Sequence, residues 1–319
     1  MKKILAPLAV LLMTTSCYDS YVRDYDYTAV YAAYQYDLRT FVIGEEAKFD
    51  FTVALGGIMD NDRDRLVEVA TDDALLKGAV AGLKSQTLVS GDYVNNAFKS
   101  FSGADLAPMP EGSFTLTGLD GLTIAKGRHT AAVTVRATEA LAADPDAFRP
   151  GYGIAFKILK ADADTVLETK NFAVIAILCE NRFYGNWTRE GETKTYDAGG
   201  ALISTDSEAA SLTDDRVYTL TTVDAHTVRS NKVNGSTGEM TLHFDGDEIV
   251  IRSSNGNVSG TGRFNGATLL QDRQLTLEYT VNTADGIRKE VKEVLSFRNR
   301  IRDGVNEWQD ENPAHYSAR

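Results

Sequence analysis

Two small groups of side chains have the makings of a ligand site. Tyr184, Asn186 and Trp187 form one, and Asn306, Glu307, Trp308 and Gln309 form the other. In each, a flat ring that can cover the apolar face of a sugar stands among amides or carboxylates that can satisfy hydroxyls. A saccharide site needs both, because ring burial and directional hydrogen bonds must coexist. Each ring also has a plainer place: Trp187 as core where a second domain begins, Trp308 as packing for a C-terminal strap. Other chemistries ask for patterns that are missing, since there is no Gly-x-Ser-x-Gly elbow, no His-Glu-x-x-His and no phosphate loop. His129, His226, His243 and His315 are widely separated, and the first three fall on strand-like segments, where they read as ordinary face residues. Asp60, Asp62 and Asp64 begin like a calcium loop, but its sixth place is Arg65 and its twelfth Thr71, so a solvated loop with Arg63 and Arg65 as counter-charges fits better. Gly260-Thr261-Gly262 with Gly266 lacks both the spacing and the βαβ context of a dinucleotide turn. The expectation is a protein without catalytic residues, metal or cofactor.

The elements that must position these groups are strands. Over residues 28–180, Lys48 to Leu55, Ser113 to Leu116 and Thr130 to Arg136 alternate polar with apolar, and glycines punctuate them. Strands of this length and spacing predict an immunoglobulin-like β-sandwich. Asp73 to Leu83 and Glu139 to Ala143 are rich in alanine and leucine and predict short helices or turns between strands. Phe172 to Cys179 is one apolar run, which makes Cys179 a buried, inert thiol.

The run stops at Glu180-Asn181-Arg182, where the domain boundary is expected, and a second set of strands occupies residues 181–319. They are Phe183 to Arg189, Val217 to Val223, Glu239 to Phe244, Glu248 to Arg252, Arg273 to Val281 and Ile287 to Phe297. Turns such as Asn234-Gly235 and Asp245-Gly246-Asp247 separate them. This half predicts an antiparallel β-sandwich or barrel-like meander, closed by a polar strap or loose tail from Arg298 onward. The chain as a whole reads as all-β.

The start of the chain carries an address. Met1-Lys2-Lys3, the apolar run Ile4 to Met13 and the small residues Thr14-Thr15-Ser16 make a secretory signal over residues 1–16, too short to span a bilayer. The small residues lead straight into Cys17, an arrangement that resembles a bacterial lipoprotein box, in which that thiol is acylated. The resemblance implies a lipid anchor as the sole membrane attachment, with residues 17–27, rich in tyrosine and aspartate, as a tether. Acidic residues just after such a cysteine resemble the export signal of Bacteroidetes lipoproteins to the cell exterior. The formal net charge of −12 disfavours nucleic acid and anionic surfaces. With Cys17 acylated, Cys179 has no partner for a disulfide.

Further motifs resemble a family. Phe49 to Gly57, Val67-Glu68-Val69, Met109 to Phe114 and Gly151-Tyr152 to Leu159 resemble a domain of unknown function that also precedes family-18 glycosidase domains. Phe183-Tyr184-Gly185-Asn186-Trp187 and Phe297 to Gly304 resemble its C-terminal partner domain. Together the chain looks like a two-domain Bacteroidetes surface lipoprotein encoded beside SusC/SusD-like outer-membrane pairs, in the SusE position. That resemblance implies an accessory of polysaccharide or glycoprotein utilisation with a glycan ligand and a SusC/SusD-like complex as partners. Two other classes stay open, an adhesive protein that binds protein partners and a hydrolase of unrecognised type. Asp164-Thr165-Val166 resembles the acceptor at which Bacteroidetes O-glycosylate exported proteins, with Thr165 as the acceptor.

Overall fold

The computed structural model describes residues 27–85, 100–210 and 216–309. The signal segment, Cys17, nearly all of the tether and His315 lie outside them. In the first half the alternating segments form one sheet from β1 (Ala29–Ala32), β3 (Lys48–Gly56), β6 (Phe114–Thr117), β8 (Thr130–Ala137) and β10 (Thr165–Val166), in the order β10-β1-β3-β8-β6. A second sheet holds β2 (Tyr36–Ile43), β4 (Arg65–Thr71), β7 (Thr123–Ile124), β9 (Tyr152–Ala161) and β11 (Phe172–Asn181), in the order β2-β11-β9-β4-β7, with the short β5 (Ala107–Pro108) beside β9. Phe51 of β3 stacks on Phe156 of β9 with ring centroids 4.6 Å apart, at the centre of the core between the sheets.

The second sheet is buried on its outer side as well. A 3₁₀ turn over Asp73–Leu76 and α1 (Ala79–Ser85) lay Leu76, Val80 and Leu83 over Leu38, Ala155, Val174 and Ala176. Burial on both faces is why β11 has no alternation and reads as a continuous apolar run. Each such side chain is worth roughly 1.5–3 kcal/mol relative to exposure. The loop with Asp60, Asp62 and Asp64 is knitted from within: buried Asn61 donates to Ala125 O and Arg128 O at 3.0 and 3.1 Å, and buried Arg65 donates to Asn61 Oδ1 at 2.8 Å.

The second half is a barrel, which decides between the two architectures expected there. Its strands are β12 (Gly185–Tyr196), β13 (Leu202–Glu208), β14 (Val217–Thr222), β15 (Thr227–Val233), β16 (Ser236–Asp245), β17 (Glu248–Arg252), β18 (Val258–Phe264), β19 (Gln274–Asn282), β20 (Arg288–Arg302) and β21 (Val305–Glu307). From β14 to β20 each pairs with the next, and β12 pairs with both β14 and β20, so eight antiparallel strands close on themselves. Strand β13 hangs on β12, and β21 folds back on β20. The strap expected after Arg298 is thus in part a strand hairpin, because its polar residues face ion pairs on one side and solvent on the other. Gly260 and Gly262, the false dinucleotide turn, point inward from β18, where a Cβ would come 2.2 Å from Glu278 O and 2.6 Å from Thr276 O. Only glycine lets β18 and β19 run this close.

An eight-stranded barrel is just wide enough to be filled by side chains or to hold one small ligand. This one is filled. Trp187, Tyr218, Leu220, Met240, Phe264 and Leu295 are buried in it, and a polar cluster completes the packing. Glu293 accepts from Arg189 Nε at 2.6 Å, Tyr279 OH at 2.9 Å and Tyr218 OH at 3.1 Å. Arg189 also bonds Glu208 and Asn234, and the two tyrosine oxygens accept from the backbone of Gly235 and Asn234. Burial first, then the Glu293 charge, pushes both phenols well above their usual range, so they stay protonated donors.

Candidate functional site

Strand alternation sorts the C-terminal candidates onto two faces of the β20–β21 hairpin. Asn306 and Trp308 are exposed, Trp308 to 57%, while Glu307 between them is buried. Arg300 pairs with Glu307 across the hairpin, and continuing that register by one step sets Trp308 opposite Asn299.

On the exposed face the structure joins the two sequence-derived groups through residues the sequence did not single out. Thr219 N donates to Asn231 Oδ1 at 2.8 Å, and Thr219 Oγ1 donates to Asn186 Oδ1 at 2.9 Å. Asn186 Nδ2 donates to Asn299 Oδ1 at 3.3 Å, and Asn299 Nδ2 donates to Asn306 Oδ1 at 2.7 Å. Four asparagines thus form a row over five strands, β15, β14, β12, β20 and β21, in which Thr219 donates both ways and the bonds from Thr219 to Asn306 run in one direction. The row ends at exposed Asn306, two residues from the exposed indole. Tyr184 stands partly exposed in the turn that leads into β12. Amides that donate and accept at once, beside an exposed aromatic ring, suit a polyhydroxylated ligand.

Three candidates leave this face. Trp187 is fully buried, donates its indole N–H to Phe183 O at 3.1 Å and meets Phe297 edge-on, so it is core and no platform. Glu307 cannot take sugar hydroxyls, because Arg300 Nε at 2.6 Å and Arg302 Nε at 2.7 Å already hold its carboxylate. Gln309 lines the opposite face, a cleft of about 610 Å³ between the first half and the barrel.

The joint beside that cleft is built from charge. Glu45, in the turn after β2, accepts from Arg300 at 3.0 and 2.7 Å and from Arg273 at 2.7 Å. Burial works against the charge on Glu45, but the Arg300 and Arg273 guanidiniums outweigh it and hold the carboxyl below its ordinary range. At the edge of the joint, burial pushes Glu180 up to about 7 and Asp303 up to about 6. Asp303 Oδ1 and Thr40 Oγ1 are buried there with no hydrogen bond of ordinary geometry among the described residues, and the Thr40 hydroxyl eases the rise of the Asp303 carboxyl.

No nucleophile and base converge among the described residues. Thr227 Oγ1 lies 3.0 Å from His243 Nδ1, but this is an exposed cross-strand pair. His129 Nε2 lies 3.2 Å from Ile58 O. Among the described residues no three His, Cys, Asp or Glu side chains stand close enough to hold a metal. Cys179 is buried, and burial with the neighbouring Glu180 pushes its thiol up to about 12. Thr165 sits in the short β10, partly buried, with its hydroxyl on Val166 O at 3.3 Å. No helix among the described residues is long and apolar enough to cross a membrane.

No family model matches the chain, and no curated protein matches it. Among solved structures, a Bacteroides ovatus protein of unknown function matches over 90% of this chain and 99% of its own, at 23% identity and a TM-score of 0.63. An auxiliary nutrient binding protein from Bacteroides thetaiotaomicron aligns over 85% of this chain and 95% of its own at 14% identity and a TM-score of 0.40. A further Bacteroides ovatus protein of unknown function aligns over 84% and 90% at 15% identity and a TM-score of 0.39. The first shares the all-β fold with this chain; the other two align loosely.

Proposed function

We propose that the protein is a non-catalytic surface lipoprotein that binds glycan for a polysaccharide or glycoprotein utilisation system. In this reading it is anchored through Cys17 to the outer membrane, faces the exterior and works beside a SusC/SusD-like pair. The observation that carries the reading is the outward row of asparagine amides ending at Asn306, two residues from exposed Trp308. The filled barrel lumen supports it too, because it leaves the outer surface as the place for a ligand. A sugar ring laid on the indole would bury apolar area while its hydroxyls meet Asn306, Asn299 and Asn186, worth on the order of 1–3 kcal/mol for the ring contact.

A glycan array probed with the chain from residue 18 onward, followed by calorimetric titration of each hit, tests it. The expected result is at least one oligosaccharide bound without turnover, with affinity lowered roughly tenfold or more by Trp308→Ala at unchanged melting temperature. An array without hits, or product formed from a bound glycan, would overturn the reading; the first result would turn attention to protein partners.

A further inference from the structure

The cleft on the other face of the hairpin has a charge balance at odds with the rest of the molecule. The chain is net acidic, at −12, yet five cationic side chains line this cleft against three carboxylates. The carboxylates are already committed. Glu45 is held by Arg300 and Arg273, Glu307 by Arg300 and Arg302, and Glu46 by Lys48 at 2.9 Å and Arg136 at 3.2 Å. Arg182 is left over and makes no ion pair among the described residues.

The placement of Arg182 is specific. Its guanidinium lies over the faces of Phe183 and Phe264, 4.7 and 4.8 Å from the ring centroids, which fixes the plane of the fork. Gly44, at φ +90°, lets the stem pass: a Cβ there would come 2.9 Å from Arg182 Cδ. Arg182 Nε and Arg273 Nε are both buried and carry no hydrogen bond. Burial, and then the charge of Arg273, draws the Arg182 guanidinium below its ordinary value, against the weaker pull of Glu45 and Asp247. A half-buried cation with a buried donor unspent and a like charge beside it is costly unless something supplies the counter-charge. A planar oxyanion matches a guanidinium fork bidentately.

We propose that this cleft is a second binding site, for the acidic group of a short anionic saccharide, with Arg182 as the residue that takes the oxyanion. The volume of about 610 Å³ suits a ligand of two or three sugar rings. Exposed Thr268 and Gln309 in the wall offer partners for hydroxyls. A long polyanion is disfavoured because the acidic surface outside the cleft repels it. The site is distinct from the amide row and goes beyond the platform reading.

Calorimetric titration of the chain from residue 18 onward with digalacturonate, neutral galactobiose and sodium sulfate tests the proposal. Digalacturonate should bind at least tenfold more tightly than either of the others, with affinity falling as salt rises. Arg182→Gln should remove most of that preference. Because Arg182 also packs on two phenylalanines, Thr268→Glu is the second variant: it adds a negative charge at an exposed position of the cleft, and should weaken digalacturonate tenfold or more at unchanged melting temperature. Trp308→Ala should leave digalacturonate affinity intact, which separates failure of this site from failure of the platform. Equal binding of digalacturonate and galactobiose, or no binding of digalacturonate, overturns the proposal. So does sulfate binding as tightly as digalacturonate, and so does loss of digalacturonate only on Trp308→Ala.

Discussion

Replacing Glu293 by glutamine should destabilise the barrel strongly and leave ligand binding alone. The carboxylate receives three donors in the lumen, Arg189 Nε, Tyr218 OH and Tyr279 OH. Glutamine keeps the shape and one acceptor oxygen, but turns an NH₂ group toward at least one of those donors. It also leaves the buried Arg189 with only Glu208 and Asn234 as partners. Breaking a buried ion pair from one side costs about 3–5 kcal/mol, and the retained oxygen trims that to about 2–4 kcal/mol. At a few degrees per kcal/mol for a unit of this size, the barrel transition should fall by about 10 °C in differential scanning calorimetry. The double variant Arg189→Met, Glu293→Leu should melt above either single variant, since it removes the stranded charge. An unchanged melting point in Glu293→Gln, above all with glycan binding lost, would refute the structural role and assign the cluster to a ligand.

Other outcomes follow from the joint. A carboxyl whose folded pKa lies above its unfolded value binds its proton more tightly in the fold, so its stabilisation is complete below the unfolded pKa and is lost as pH rises through the folded one. Glu180, raised to about 7, and Asp303, raised to about 6, should therefore make the protein less stable at pH 8 than at pH 5.5, by roughly 3 kcal/mol together, and Glu180→Gln should flatten that slope in thermal melts. Glu45→Ala strands two arginines and should cost roughly 2–4 kcal/mol while speeding tryptic cleavage after Arg182; unaltered cleavage would count against the ion pairs as the joint's fastening. Cys179 should resist iodoacetamide in the native protein at pH 8 and react promptly in denaturant, as burial and its raised thiol pKa require.

What the sequence could show followed burial geometry. Strands with one wet face, such as β3, β8 and β17, announce themselves by alternation, and β11 by an apolar run too long for a half-exposed strand. Strands β13, β15 and β18 escaped because serine, threonine, asparagine and glycine dominate them, and the pairing of β12 with β20 that closes the barrel joins residues about a hundred positions apart. Trp308 could be singled out because its neighbours are all polar. Asn299 and Asn231 could not, since a lone asparagine in a strand has no local signature and only the register brings them into line with Asn186. The cleft was invisible for the same reason, as Glu45, Arg182, Arg273 and Arg300 come from four distant segments.

The two tryptophans make a direct test of where a glycan sits. Trp187 is fully buried and Trp308 is 57% exposed, so acrylamide should quench one emitting population readily and spare the other. Saturation with a glycan identified on the array should protect the quenchable population and shift its emission to the blue, and Trp308→Phe should abolish both the quenchable fraction and the shift. Quenching that is unchanged in the saturated complex would contradict a platform at Trp308.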